Sequence, residues 1–194
     1  MMLPLLKAHT QDLHQRVEQL LAIMADPLPA ELYHQQLRQL YRLYNPLEAR
    51  LSALPLPDAL GWPGRLKAPL LEQDLSVLRL SVPDPLPAAA LPELPSVAHA
   101  LGCLYVLEGS TLGGQLIGRH LSRQLQLTAE HGAAFFNSYG VRVGPMWKAF
   151  GQVLEQHAAE HGGQAEMLTG ALQTFHAFES VLMDAPIPAG AADD

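Results

Sequence analysis

The stretch 107-LEGSTLGGQLIG-118 constrains the fold of this chain more than any other. It follows an apolar run containing Leu101, Cys103, Leu104, Tyr105 and Val106 and precedes Arg119, His120 and Leu121. Those surroundings predict one long helix, yet the stretch carries Gly109, Gly113, Gly114 and Gly118. A glycine inside a helix costs roughly 1 kcal/mol relative to alanine, because more backbone freedom is lost and no side chain packs. Four in so short a span imply a kink, a close helix crossing, or a flat ligand lying against bare backbone.

The rest of the chain also reads as helices. Leu6, Leu13, Val17, Leu20, Leu21 and Met24 recur at helical spacing over 5–24, and Pro27 and Pro29 end that element. A second helix is predicted over 30–54, with Leu32, Leu37, Leu40, Leu43, Leu47 and Leu51 as its stripe and Pro46 as a kink. A third lies near 64–80, and 82-VPDPLPAAALPELP-95 is a proline-rich connection. The glycine-bearing helix is predicted over 96–127, a shorter one over 128–137, and two more over 145–161 and 164–184. With no strand pattern and no internal repeat, the expected fold is all-α, one domain over 1–185 with a flexible tail at 186–194.

Composition narrows the function classes. A chain of 194 residues, 48% of them hydrophobic, can bury one sizeable core. The single cysteine, Cys103, excludes a disulfide framework and any cysteine-based zinc or iron–sulfur site. The formal charge of −7 argues against nucleic-acid binding, which needs clustered Lys and Arg. No window is apolar enough to span a membrane and the N-terminus lacks a signal-peptide shape, so a soluble cytoplasmic protein is expected.

Of the nine histidines, eight share no HExxH or paired ExxH pattern and read as surface or internally satisfied residues. His14 follows Leu13 on the first helix, close to its apolar face, where a neutral imidazole can point inward as a core residue or as a ligand.

The segments 6-LKAHTQDLHQRVEQL-20 and 105-YVLEGSTLGGQLIGRHL-121, in that order, resemble haem oxygenases, in particular the short bacterial members associated with bacteriophytochromes. The later 144-GPMWKAFGQVLEQH-157 and 171-ALQTFHAFESVL-182 fit the same layout. The resemblance implies a helical bundle holding haem b between a proximal first helix and a kinked, glycine-rich distal helix. It makes His14 the axial ligand of the iron, with the sixth position left open for oxygen. Gly109 and Gly113 then permit backbone to approach the porphyrin, and Gly114 and Thr111 join the haem contacts. Lys7 and Lys148 match the positions that meet the haem propionates, with Arg142 a weaker candidate.

The implied reaction is oxidative cleavage of haem, at once substrate and cofactor, to biliverdin, carbon monoxide and ferrous iron. Electrons come from an external reductase or ferredoxin, and a bacteriophytochrome is a candidate recipient of the biliverdin. Mammalian-type members carry an aspartate after the first distal glycine, where this chain has Ser110. A hydroxyl holds water less strongly than a carboxylate, so Ser110 and Thr111 are expected to share the distal network with backbone carbonyls. The rival readings are a non-catalytic haem carrier or sensor of the same fold, a di-iron protein, and a thiaminase-like enzyme. Glu18, Glu31, Glu48 and Glu108 lack the repeated Glu-x-x-His pattern that a di-iron site needs, and a thiaminase-like enzyme would need Cys103 as nucleophile.

Overall fold

The computed structural model describes residues 1–184, and the tail expected at 186–194 lies outside them. Seven α-helices make up the described chain: α1 (Met2–Leu21), α2 (Ala30–Ser52), α3 (Ala68–Val77), α4 (Val97–Gly109), α5 (Gly114–Leu125), α6 (Val143–His161) and α7 (Gln164–Met183). The all-α expectation holds; extended pairing among the described residues is confined to isolated bridges from Thr128 to His131 and Gly132.

Each helix end has a local cause. The orphan N–H groups of Met2 and Leu3 at the start of α1 are accepted by the Glu155 carboxylate of α6, at 2.8 and 3.1 Å. Helix α1 stops three residues short of Met24, because Ala22 turns into the left-handed region at φ 45°. Pro46 sits inside α2 and cannot donate to the carbonyl of Arg42. That carbonyl instead accepts the N–H of Leu86 at 3.0 Å, which ties the proline-rich connection to the helix. Helix α3 begins later than expected, with Pro69 in its first turn and the Glu48 carboxylate accepting the N–H groups of Lys67 and Ala68 at 2.7 and 3.0 Å. The connection from α6 to α7 turns on Gly162 and Gly163, both at positive φ.

Helices α4 and α7 form the spine, and they cross through glycine. A Cβ on Gly102 would lie 1.9 Å from the Met167 carbonyl oxygen, and one on Gly170 would lie 2.1 Å from that of His99. Backbone therefore packs on backbone there, and the core fills the space on either side with residues such as Leu101, Leu104, Phe150, Ala171 and Phe178.

Two expectations are corrected. The predicted single helix over 96–127 is broken: α4 ends at Gly109, Ser110–Gly113 forms a tight 3-10 turn, and α5 restarts at Gly114. The predicted helix over 128–137 is a loop instead. Asp74 on α3, fully buried, accepts the N–H groups of Ala134 and Phe135 at 2.7 and 2.9 Å, and Thr128 exchanges hydrogen bonds with His131, so those groups are unavailable to a helix. Tyr33 on α2 pins the same loop by donating to the Gly132 carbonyl at 2.6 Å.

Candidate active site

A cavity of about 620 Å³ opens between α1 and the α4–α5 turn. Helix α1 lines it with a single stripe, Lys7, Thr10, Gln11, His14, Val17, Glu18 and Leu21, the spacing that puts residues on one helical face. The opposite wall is Gly109, Ser110, Leu112, Gly113 and Ile117. Phe175, Phe178 and Leu182 of α7, Leu40 and Tyr44 of α2, and Phe135 and Phe136 of the loop close the sides. The lining is mostly apolar with a few polar groups, the ordinary character of a small-molecule site.

His14 is not a core residue, since its side chain is 53% exposed. Its ring stands edge-on to Phe175 with centroids 6.1 Å apart, and its Nε2 lies 3.7 Å from Oε1 of Glu18 one turn later. Glu18 therefore shares the cavity wall with His14. The sequence weighed it only against a di-iron site, although its spacing four residues after His14 was the available signal. Lys7 stands two turns before His14 on the same wall, and its exposed ammonium carries positive charge at the rim.

The glycines opposite fall into two pairs. Gly109 and Gly113 line the cavity, and the nearest atoms to a Cβ there are the Trp147 ring at 3.8 Å and Ile117 Cδ1 at 3.6 Å, ordinary contact distances. Gly114 and Gly118 face the other way. A Cβ on Gly114 would stand 2.3 Å from the Phe136 carbonyl oxygen, and one on Gly118 would stand 2.8 Å from Asn137 Oδ1. The helix breaks after Gly109, Gly109 and Gly113 present bare backbone to the cavity, and in place of a close helix crossing Gly114 and Gly118 pack closely against a loop. Gly114 is thus off the cavity wall, where the sequence placed it among the haem contacts.

Ser110 lies on the wall with its hydroxyl held from two sides. It donates to the Leu107 carbonyl at 2.8 Å and meets the Tyr44 hydroxyl at 3.1 Å. Burial pushes the Tyr44 phenol far above its ordinary range, so it stays neutral. Thr111 does not reach the cavity; its hydroxyl donates to the Glu108 carbonyl at 2.7 Å. Lys148 is exposed next to Trp147 and contributes nothing to the lining, and Arg142 is exposed as well. Of the proposed cations, only Lys7 is on the site.

Behind the distal wall lies a buried charged cluster that the sequence did not reveal. Glu108, 1% exposed, precedes Gly109 directly. It pairs with Arg65, accepts the Tyr139 hydroxyl at 2.8 Å, and lies 3.5 Å from the Lys67 ammonium. Lys67 also donates to the Tyr139 hydroxyl oxygen at 2.7 Å and to the Arg65 carbonyl. Desolvation pulls the Lys67 ammonium below its ordinary range, opposed by Glu108 and Glu48. Arg65 and Lys67 balance Glu48 and Glu108, so the cluster can remain buried without an uncompensated charge.

Cys103 is fully buried, and burial pushes its thiol up to about 12, which rules out thiolate nucleophilicity near neutral pH and with it the thiaminase-like reading. Glu48 and Glu108 are committed to backbone N–H groups and to Arg65, not to a shared metal position.

Comparison with known proteins converges on one family. The family model described as Heme oxygenase matches residues 2–184. A haem oxygenase of Xanthomonas campestris pv. campestris (strain 8004) is 35% identical over 156 residues, covering 80% of this chain and 91% of the relative. The crystal structure of the NO- and CO-bound haem oxygenase from Neisseria meningitidis superposes with a TM-score of 0.76 at 26% identity, with 95% of each chain covered.

Proposed function

The chain belongs to the haem oxygenase family and is an enzyme that degrades haem, and from that premise we propose which of its residues do so and how. The observation that carries the assignment is the facing pair of walls. An imidazole, His14, stands opposite the side-chain-free backbone of Gly109 and Gly113 across an apolar cavity of about 620 Å³. A flat porphyrin needs both features: a neutral nitrogen for the iron on one face, and an approach to the other face that no side chain blocks.

Haem supplies the iron that activates oxygen, and the chain supplies position and protons. His14 would hold the iron, its ring set edge-on against Phe175, and the Glu18 carboxylate beside it adds negative charge to the same wall. Lys7 meets a propionate at the rim. Leu112, Ile117, Phe135, Phe136, Phe175 and Phe178 hold the ring edges and exclude water from all but the Ser110 corner. There the Tyr44 hydroxyl and the Leu107 carbonyl fix the Ser110 hydroxyl, which holds a proton at Oγ for delivery into the cavity. The products are biliverdin, carbon monoxide and ferrous iron. The chain has no flavin or nicotinamide motif, which supports an external reductase or ferredoxin as electron donor. A bacteriophytochrome receiving the biliverdin and a cytoplasmic location follow from the resemblance to the short bacterial members; no described helix is long and apolar enough to cross a membrane.

The test is a haem titration followed by turnover. The protein is expected to bind haem one to one with a Soret band. Given oxygen, an electron donor and catalase to remove free peroxide, it is expected to lose that band, gain the broad red absorption of biliverdin and release carbon monoxide. A haem complex that stays intact under those conditions overturns the residue assignments and leaves a carrier.

A further inference from the structure

Between Ser110 and the buried cluster lies a void of about 10 Å³, bounded by Lys67, Ser110, Thr111 and Ser138 among others. That volume holds one water, and the polar lining supplies the partners a buried water needs. Ser110, Phe135 and Phe136 border the void and the haem cavity alike, so a single layer of side chains separates the two. On its far side, Lys67 uses two of its three ammonium protons in hydrogen bonds, to the Arg65 carbonyl and the Tyr139 hydroxyl. Its ammonium also approaches Glu108 Oε1 at 3.5 Å, the limit of a hydrogen bond, while Lys67 itself borders the void.

We propose that this void is a one-water relay through which Lys67 supplies protons to Ser110 on the distal wall of the haem cavity. The inference rests on the proposed function above and deepens it. Oxygen-dependent cleavage consumes protons, and the wall carries a hydroxyl where a carboxylate would otherwise gather water. The step is a proton transfer with no change of oxidation state in the protein. In one concerted shift Lys67 gives a proton to the void water, the water gives one to Ser110 Oγ, and the Ser110 hydroxyl, turning from the Leu107 carbonyl, releases its own into the cavity. Lys67, left as a neutral amine, regains a proton along the same route once product has left and solvent enters. Electrons and oxygen are those of the established reaction.

The surroundings suit Lys67 to this task better than any neighbour. Arg65 cannot release a proton in a protein. Tyr44 touches Ser110 but its phenol is held neutral far above the ordinary range, which makes it a poor acid. Lys67 is 2% exposed, and desolvation weakens its hold on the proton. Tyr139 orients the ammonium, accepting from Lys67 while donating to Glu108. Lys67 acts through water and Ser110, so it is a positioning and supplying residue, not one that touches haem.

The test uses the haem-loaded full chain with ascorbate, oxygen and catalase, in H₂O and in D₂O. Lys67→Met removes the proton source. Ser138→Val fills the void and displaces the water without touching the ion pairs, so it decides the matter even where Lys67→Met fails to fold. Each variant is expected to bind haem within twofold of the wild type and to slow haem loss by roughly 10²-fold, the ordinary scale of a lost general acid. The double variant is expected to be no slower than the slower single one, because both block one route. The solvent isotope effect on the wild-type rate is expected to change in both. Wild-type rates in Ser138→Val overturn the relay, as do single effects that multiply in the double variant. A wild-type protein that binds haem and never degrades it overturns the reading of the site, and the relay with it; unimpaired variants beside an active wild type overturn the relay alone.

Discussion

The two walls of the cavity are built by opposite means. The α1 wall is one regular helix whose stripe from Lys7 to Leu21 supplies the whole surface, with His14, Glu18 and Lys7 at the solvent side. The distal wall is assembled from the end of α4, a 3-10 turn and the start of α5. A loop fitted to bare glycine and a buried cluster of opposite charges support it from behind. A ligand to iron needs only one side chain at the right place on a helix. A surface that must come close to a ring, bend and pass protons needs backbone freedom held by polar groups drawn from several elements. Substitutions on the first wall should therefore change binding with little effect on stability, and substitutions behind the second should do the reverse.

The largest break in that contrast is expected at His14. His14→Ala should forfeit axial ligation and change the Soret spectrum while leaving the melting temperature nearly unaltered, because half of the side chain is exposed. An unchanged spectrum would remove His14 from the site. Next come the two kinds of glycine. Gly114→Ala forces a methyl to within 2.3 Å of a backbone oxygen and should cost about 1–3 kcal/mol in denaturant unfolding. Gly113→Ala meets only Ile117 at 3.6 Å, so its fold should survive intact while haem uptake weakens. Equal stability losses at the two positions would dissolve the division of the glycines.

Asp74 sharpens the comparison through pH. Burial pushes its carboxyl up to about 6, above the ordinary carboxylate value, despite the two N–H groups it accepts. A carboxyl whose folded value is raised contributes stability that is fully present below its unfolded value and is lost as pH rises through about 6. The fall should be about 2–3 kcal/mol at most. Asp74→Asn should flatten that part of the stability–pH curve, measured by urea unfolding across the window, and an unflattened curve would assign the titration elsewhere. Ser110→Ala should slow turnover by roughly 10²-fold, to the extent that loss of Lys67 does, because it cuts the same route, without abolishing it, as water can still bind the Leu107 carbonyl. Abolition would make the hydroxyl indispensable. The smallest effect belongs to Lys7→Met, an exposed charge whose loss should weaken haem binding by about 1 kcal/mol or less, read by titration at low and high salt.

Legibility in the sequence followed the same division. The helices announced by apolar spacing, α2 and α7 most clearly, lie within two residues of their expected bounds, whereas Lys7 is singled out only through the family resemblance. The glycine run announced a disturbance, but the choice among kink, crossing and bare backbone depended on partners far away in the chain. Gly114 is explained by Phe136, and Lys148, read as a site residue by position, points to solvent. The helix expected over 128–137 failed because Asp74 takes N–H groups that a helix would have used, a competition no local window contains. Tyr44, Lys67 and Tyr139 illustrate one limit: a polar residue amid apolar neighbours has a role only once its hydrogen-bond partner is known, and those partners come from distant parts of the chain.

The glycine crossing of α4 and α7 also sets where the molecule can yield. With carbonyl oxygens seated where side chains would be, Gly102 and Gly170 leave the two helices no slack to slide. They behave as a single strut that carries both the Phe175–Phe178 side of the cavity and the root of the distal wall. The slack lies instead at Ser110–Gly113, where the backbone of Gly113 meets only Ile117 at an ordinary contact distance. Beyond it, α5 rests on the loop keyed to Gly114 and Gly118, which Asp74 and Tyr33 tie in turn to α3 and α2.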